Sequence, residues 1–245
     1  MIGFSQRIRY EWMEQAASMV LGGMERSEID KALQDILKKQ LSVGGTAQRG
    51  NREKVISILM RIWVTPQKGQ EPFREDALAL LSSLPRRQHM PVHWGMTMAV
   101  YPFWGSVAET VGRLLRLQSE VGAAQTQRRL KEVFGERETV ARAARRILRS
   151  FVDWEVLEES GRSGIYRRGE TIACRDDQIT SWLVEAYLLS NENGTAPLRD
   201  VVSSPVFFPF SLKSDSVSRL AAASPRLEVI RHGLDEELVT LRRAG

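Results

Sequence analysis

Arg142, Arg145, Arg146 and Arg149 stand at positions i, i+3, i+4 and i+7 of a stretch, ETVARAARRILRSFVDW, that contains neither proline nor glycine. On an α-helix of about 3.6 residues per turn they form one stripe. A guanidinium keeps its charge and offers a planar fork of donors, so it pairs with phosphate oxygens or with the guanine edge. The major groove of duplex DNA admits one such helix. Val140, Ala144, Ile147 and Phe151 make a second stripe suited to packing beneath it, and Ala141 and Ala143 are small enough to let the backbone approach a groove. Arg128, Arg129 and Lys131 precede this helix, and Arg162, Arg167 and Arg168 follow it, where they would neutralise flanking phosphates and release counterions. An arginine stripe is also what a plain solvated face looks like, with Glu136, Glu138, Glu155, Glu158 and Glu159 to offset it. The basic residues beyond the helix tip the reading toward nucleic acid.

Other chemistry finds little to stand on. His89 and His93 have the i, i+4 spacing of a zinc pair, but Pro91 between them should disturb the helix, and no third ligand follows in a recognisable pattern. Gly44-Gly45-Thr46 with Arg49 and Arg52 could cradle a phosphate, and an ordinary inter-helix loop explains it better. Cys174 beside Arg175 reads as a small buried hydrophobe rather than an activated thiol. Ser160 and Ser163 belong to no nucleophile motif, and there is no nucleophile elbow, Walker loop or dinucleotide fingerprint. The expectation is a protein that is not an enzyme and carries no cofactor or metal.

The elements that must position the arginines follow from periodicity. Thr126 can cap a helix through Leu130 to Phe134, Gly135 supplies a sharp turn, and the arginine helix runs from about Glu138 to Trp154. Val156-Leu157 and Ile165-Tyr166 are short extended pieces separated by a glycine-bounded loop. With Val107 to Leu117 as a preceding helix, this is the layout of a winged helix-turn-helix. Upstream, Tyr10, Met13, Ala17, Val20 and Leu21 line one helix. Ile29, Leu33, Ile36 and Leu37 line a second, opened by a capping box of Ser27 and Asp30. Val55 to Trp63 forms a third, ended by Pro66, and Asp76 to Leu84 a short fourth. Pro85 to Trp104 reads as a partly helical linker whose Met and Trp residues fill core. After Cys174 come a helix over Ile179–Leu189, the run VFFPF, a short helix near Val217 and two strands joined by His232-Gly233-Leu234-Asp235.

The fold class expected is mainly α. A helical N-terminal domain (1–104) leads to a central winged helix-turn-helix (105–172) and a small α+β C-terminal region (173–245) that repeats helix then hairpin as a degenerate second wing. The 245 residues carry 35 Lys and Arg against 30 Asp and Glu, a net charge of +5, so the clustering of arginine matters more than its sum. A single cysteine excludes intrachain disulfides and multi-cysteine zinc sites. The absence of a signal-like or membrane-spanning apolar run points to a soluble, cytoplasmic protein with no membrane partner.

Three stretches resemble the BrxA family of BREX phage-defence systems: GGTAQRGNREKVISILMRIW (44–63), MAVYPFWGSVAETVGRLL (98–115) and ETVARAARRILRSFVDWEVLEES (138–160). The resemblance covers about two thirds of the chain in layout. It implies an all-helical N-terminal part and DNA binding without catalysis, as an accessory or regulatory component of prokaryotic phage defence. The partner expected is double-stranded DNA. A second reading is a structural subunit of a larger defence or nucleoprotein complex, docking other subunits through Phe103-Trp104 and Phe207-Phe208-Pro209-Phe210. A third is single-stranded nucleic acid stacked on Tyr166 and Trp154.

Overall fold

The segment Met90–Val100 has no Asp, Glu, Lys or Arg and, apart from His93 and Thr97, is apolar, a pattern that suits a helix with no solvent face. A computed structural model of the chain describes residues 2–41, 50–191, 194–212, 217–232 and 236–242 and makes this segment a helix buried from Pro91 to Val100. It is α5 in chain order, and it was expected to be a broken linker. Pro91 lies in its first turn, where the missing N–H removes no helical bond. After Tyr101 the chain turns into α6 (Pro102–Leu117), again with proline opening the helix.

The earlier helices pack around this centre. They are α1 (Tyr10–Leu21), α2 (Arg26–Lys38), α3 (Asn51–Leu59) continuing into a π-helical turn at Met60–Val64, and α4 (Glu71–Ser83). The inward face of α1 is Trp12, Met13, Ala16 and Ala17, so the stripe anticipated from Tyr10 to Leu21 is rotated and Leu21 lies outside. The cap of α2 is Glu25 with Glu28, not Ser27 with Asp30: each carboxylate meets the other residue's backbone. The loop containing Gly44, Gly45, Thr46 and Arg49 lies outside the described residues, as do residues 233–235 of the last turn.

A short strand missed by the periodicity, β1 (Glu120–Gly122), runs directly into α7 (Ala123–Phe134). Thr126 therefore sits inside α7, its hydroxyl donating to the Gly122 carbonyl at 3.1 Å, and does not cap it. Gly135 has φ of 89°, which only glycine adopts without strain, and it turns the chain into α8 (Glu138–Asp153). Then β2 (Leu157–Glu159) and β3 (Ile165–Arg168) complete an antiparallel sheet of order β1-β3-β2, with Val121 opposite Tyr166 and Glu158 opposite Arg167.

Beyond it come β4 (Ile172–Cys174), α9 (Asp177–Ser190), β5 (Thr195–Pro197), α10 (Leu198–Val202), β6 (Phe210–Leu212), α11 (Val217–Ala223), β7 (Leu227–His232) and β8 (Glu236–Leu241). Strands β4 and β6 pair in parallel, while β5, β8 and β7 form a second antiparallel sheet in that order. The succession helix, strand, helix, helix, strand, strand, with the last strand central, thus occurs at α6–β3 and again at α9–β8. In the second occurrence β4's partner strand β6 is inserted between the two helices. The molecule is mainly α with a small α+β region.

One hydrophobic core extends from Phe4 to Val239 and crosses both 104/105 and 172/173. Trp94, Trp104, Phe151, Trp154 and Phe208 meet in it with ring centroids 4.8–6.3 Å apart. Where α5 crosses α9, Gly95 faces the Trp182 indole, and where α6 meets the turn at Pro205–Phe207, Gly112 faces the Pro205 carbonyl. No helix among the described residues is long and apolar enough to cross a membrane.

A Cβ placed on Gly112 would lie 2.0 Å from the Pro205 oxygen, a backbone atom with no rotamer to give. Gly112→Ala is therefore expected to cost about 1–3 kcal/mol through overpacking, read as a lower denaturant midpoint with an unchanged slope.

Candidate functional site

Helix α8 has the strongest division between apolar and charged faces of any helix described. Val140, Ala144, Ile147, Leu148 and Phe151 are buried against the core, while Arg142, Arg145, Arg146 and Arg149 are all exposed along one side. Ala141 and Ala143 are buried as well, so they contribute to packing and do not open a groove-facing surface as expected. Between them the two faces leave little choice about which side of α8 meets solvent.

The back of α8 is held by the chain's first residues. The Ser150 hydroxyl accepts from the Ile8 N–H at 2.8 Å, the Trp154 indole N–H donates to the Ile8 carbonyl at 3.0 Å, and Arg7 donates to Asp153 through Nε and Nη2. These contacts join residues more than 140 positions apart. They fix the orientation of the helix against the body.

The charges around α8 divide into two sets. Arg149 pairs with Glu159 at 3.2 Å, Arg167 with Glu158 at 2.9 Å, and Arg162 with Glu120, so the hairpin and the end of α8 are laced by their own carboxylates. Arg142 reaches Glu138 only at 4.0 Å, and on α7 Arg129 pairs with Glu132 at 3.2 Å and Lys131 with Glu136 at 3.0 Å. Arg128, Arg145, Arg146 and Arg168 have no carboxylate within pairing distance among the described residues, and all four are exposed. The unneutralised charge is therefore concentrated in the middle of α8, with single additions from α7 and β3.

The aromatic surfaces anticipated for partners are interior. Trp154 and Tyr166 are buried and cannot stack bases. Trp154 packs on Trp104, Trp94 and Tyr10, so it fills the space between α8 and the N-terminal helices. Phe103, Trp104, Phe207, Phe208 and Phe210 are core residues, which removes the aromatic docking surface proposed for a partner protein. Burial pushes the Cys174 thiol up to about 12, so it is the inert small hydrophobe that was expected.

The histidines are the feature that sequence reasoning set aside. His89 precedes α5 and His93 lies one turn inside it, and Glu14 of α1 comes to both. The Oε1 atom of Glu14 is 3.0 Å from His89 Nδ1, 2.7 Å from His93 Nε2 and 3.0 Å from the Tyr10 hydroxyl, while Arg86 stands 3.4 Å from Oε2. Burial alone raises the Glu14 carboxyl, but the His93 hydrogen bond, the charges of His93 and His89 and the Tyr10 hydroxyl outweigh it and hold it at about 2. Complete burial pushes the His93 imidazole down, against the opposing pull of Glu14. Pro91 does not interfere, because it lies in the first turn. The third group comes from a helix some 75 residues upstream, a distance at which no spacing motif could have shown it.

Comparison with known protein families, with characterised proteins and with solved structures gives no match for this chain.

Removing the Ser150 hydroxyl would leave the Ile8 N–H buried without an acceptor. Ser150→Ala is expected to lower stability by about 1–3 kcal/mol, the desolvation cost of one orphaned donor, and to increase hydrogen exchange at Ile8 before it does so in α5.

Proposed function

We propose that α6–β3 is a winged helix-turn-helix unit and that the protein binds duplex DNA without catalysis, with α8 as the reading helix. The observation that carries this is the pair Arg145 and Arg146: adjacent, exposed, without a carboxylate partner among the described residues, and borne by a helix whose other side is locked into the core. Arg142 and Arg149 extend the stripe by a turn on either side. Element order, sheet order β1-β3-β2 and the five-residue loop between β2 and β3 support the winged reading. The resemblance of three stretches to the BrxA family supports an accessory or regulatory role in phage defence.

The ion pairs of the hairpin do not oppose binding strongly. Exposed pairs contribute about 0–1 kcal/mol each, so Arg149, Arg162 and Arg167 can exchange a glutamate for a phosphate at small cost. Their neighbouring carboxylates still repel DNA, and the helix, not the wing, supplies most of the attraction. The second helix–hairpin unit lacks this character: α11 has Arg219 as its one basic residue, and Arg219 pairs with Asp177 at 2.7 Å. It serves as scaffold.

The test is titration of a fluorescent duplex at several salt concentrations between about 50 and 200 mM, where phosphate contacts show their steep dependence. Arg145→Ala/Arg146→Ala should weaken binding and reduce the salt slope by roughly 2 if both residues sit on phosphates. If they read guanine instead, the loss is about 1–3 kcal/mol each and depends on sequence. Arg162→Ala/Arg167→Ala should have the smaller effect. A folded Arg145→Ala/Arg146→Ala protein that binds like the parent would overturn the assignment.

A further inference from the structure

We infer that Glu14, His89 and His93 form a binding site for a divalent transition-metal ion, zinc being the chemically best matched, that ties α1 to α5. One carboxylate oxygen and two imidazole nitrogens converge here from different parts of the chain, all within 4.8 Å of one another. Two imidazoles and a carboxylate suit zinc, and three protein ligands leave a fourth position for water.

The hydrogen-bond pattern asks for a cation at this point. His89 Nε2 lies 3.0 Å from the Leu84 carbonyl, which only accepts, so Nε2 carries a proton. A neutral His89 then turns the lone pair of Nδ1 toward the carboxylate oxygen 3.0 Å away, where two acceptors face each other. A metal ion among Nδ1, His93 Nε2 and Oε1 removes that conflict, and the bond to Leu84 becomes the outer contact that orients a ligating histidine. The alternative occupant of the gap is a second proton on His89.

The dimensions agree. Metal–ligand distances near 2.0–2.1 Å place tetrahedral donors roughly 3.3 Å apart. The observed 3.0 and 2.7 Å would open by about 0.3 and 0.6 Å, and all three donors already lie within 4.8 Å of one another. The spacing of His89 and His93 brings both rings to one side of the start of α5, and Arg86 pairs with the other carboxylate oxygen, so a metal would meet Oε1, which also accepts from the Tyr10 hydroxyl at 3.0 Å. Solvent reaches the cluster, since the side chains of Glu14 and His89 are 13% and 14% exposed while His93 is closed at the back. Tyr10 and Arg86, which touch Glu14, also line an open cavity of about 630 Å³.

The experiment uses untagged full-length protein stripped with chelator, then dialysed against zinc and assayed for bound metal and melting temperature. Cobalt serves as a second probe, with visible absorption reporting tetrahedral coordination. The parent should take up one equivalent of zinc, melt higher with it, and give a tetrahedral cobalt spectrum. His93 is fully buried and its replacement is apt to unfold the chain, so the deciding variants are Glu14→Gln and His89→Gln at partly exposed positions. Each should weaken zinc by more than the roughly 10–100-fold that loss of an outer-shell partner costs. The chain has one further histidine, His232, and one cysteine, Cys174. Zinc uptake unchanged in both folded variants would assign the metal elsewhere and overturn the inference. So would a parent that binds none, which leaves the proton as the occupant.

Discussion

Trp94 of α5 and Trp104 of α6 sit at the point where the chain's distant parts meet. Phe151 of α8 and Trp154 just after it reach them, as do Phe208 and Phe210 from the C-terminal region and Phe4 from the N-terminal segment, while Tyr10 packs on Trp154. Aromatic pairs in such edge and offset arrangements contribute about 0.5–1.5 kcal/mol each beyond the area they bury. The arrangement is also directional, because each ring fixes the tilt of the helix bearing it. The pose of α8, and with it the direction in which its arginines project, is inherited from this cluster.

Two polar clamps complete that constraint at opposite ends. Near α8, Ile8 uses both its backbone groups on Ser150 and Trp154 while Arg7 holds Asp153. At the far side, buried Glu185 of α9 accepts from Arg226 at 2.9 Å and from Ser224, and Arg226 also reaches Asp76 of α4. Burial raises the Glu185 carboxyl, and the hydrogen bonds of Ser224 and Arg226 together with the Arg226 charge work to keep it ionised. Such a cluster costs desolvation and returns little net stability, and its contacts join α4 and α9 to the residues just before β7.

The two helix–strand–helix–helix–hairpin units share one topology and differ in the surface their last helix presents. The first places four arginines on the exposed side of its third helix, α8. In the second, α11 lies along α9, with the Ser181 hydroxyl donating to the Leu220 carbonyl at 2.7 Å. Its exposed Arg219 pairs with Asp177 of that same neighbour. The charge difference between α8 and α11 is thus matched by a difference in what each helix packs against.

Local pattern alone determined the exposed stripe of α8, the turn at Gly135 and the β2–β3 hairpin, because each depends on residues within a turn or two of one another. The closed surroundings of α5 also followed from its composition, although its prolines disguised it as a linker. Tertiary structure decided what depended on partners far away in the chain. It moved Ala141, Ala143, Tyr166 and Phe207 to Phe210 indoors, since a local pattern cannot show that a second element covers a face. It added β1, too short to have a period, and matched Arg149, Arg162 and Arg167 to glutamates that only the folded hairpin brings near. Above all it carried Glu14 to His89 and His93. Three donors drawn from helices so distant in sequence meet only after α1 has packed on α5, and no spacing along the chain encodes that meeting.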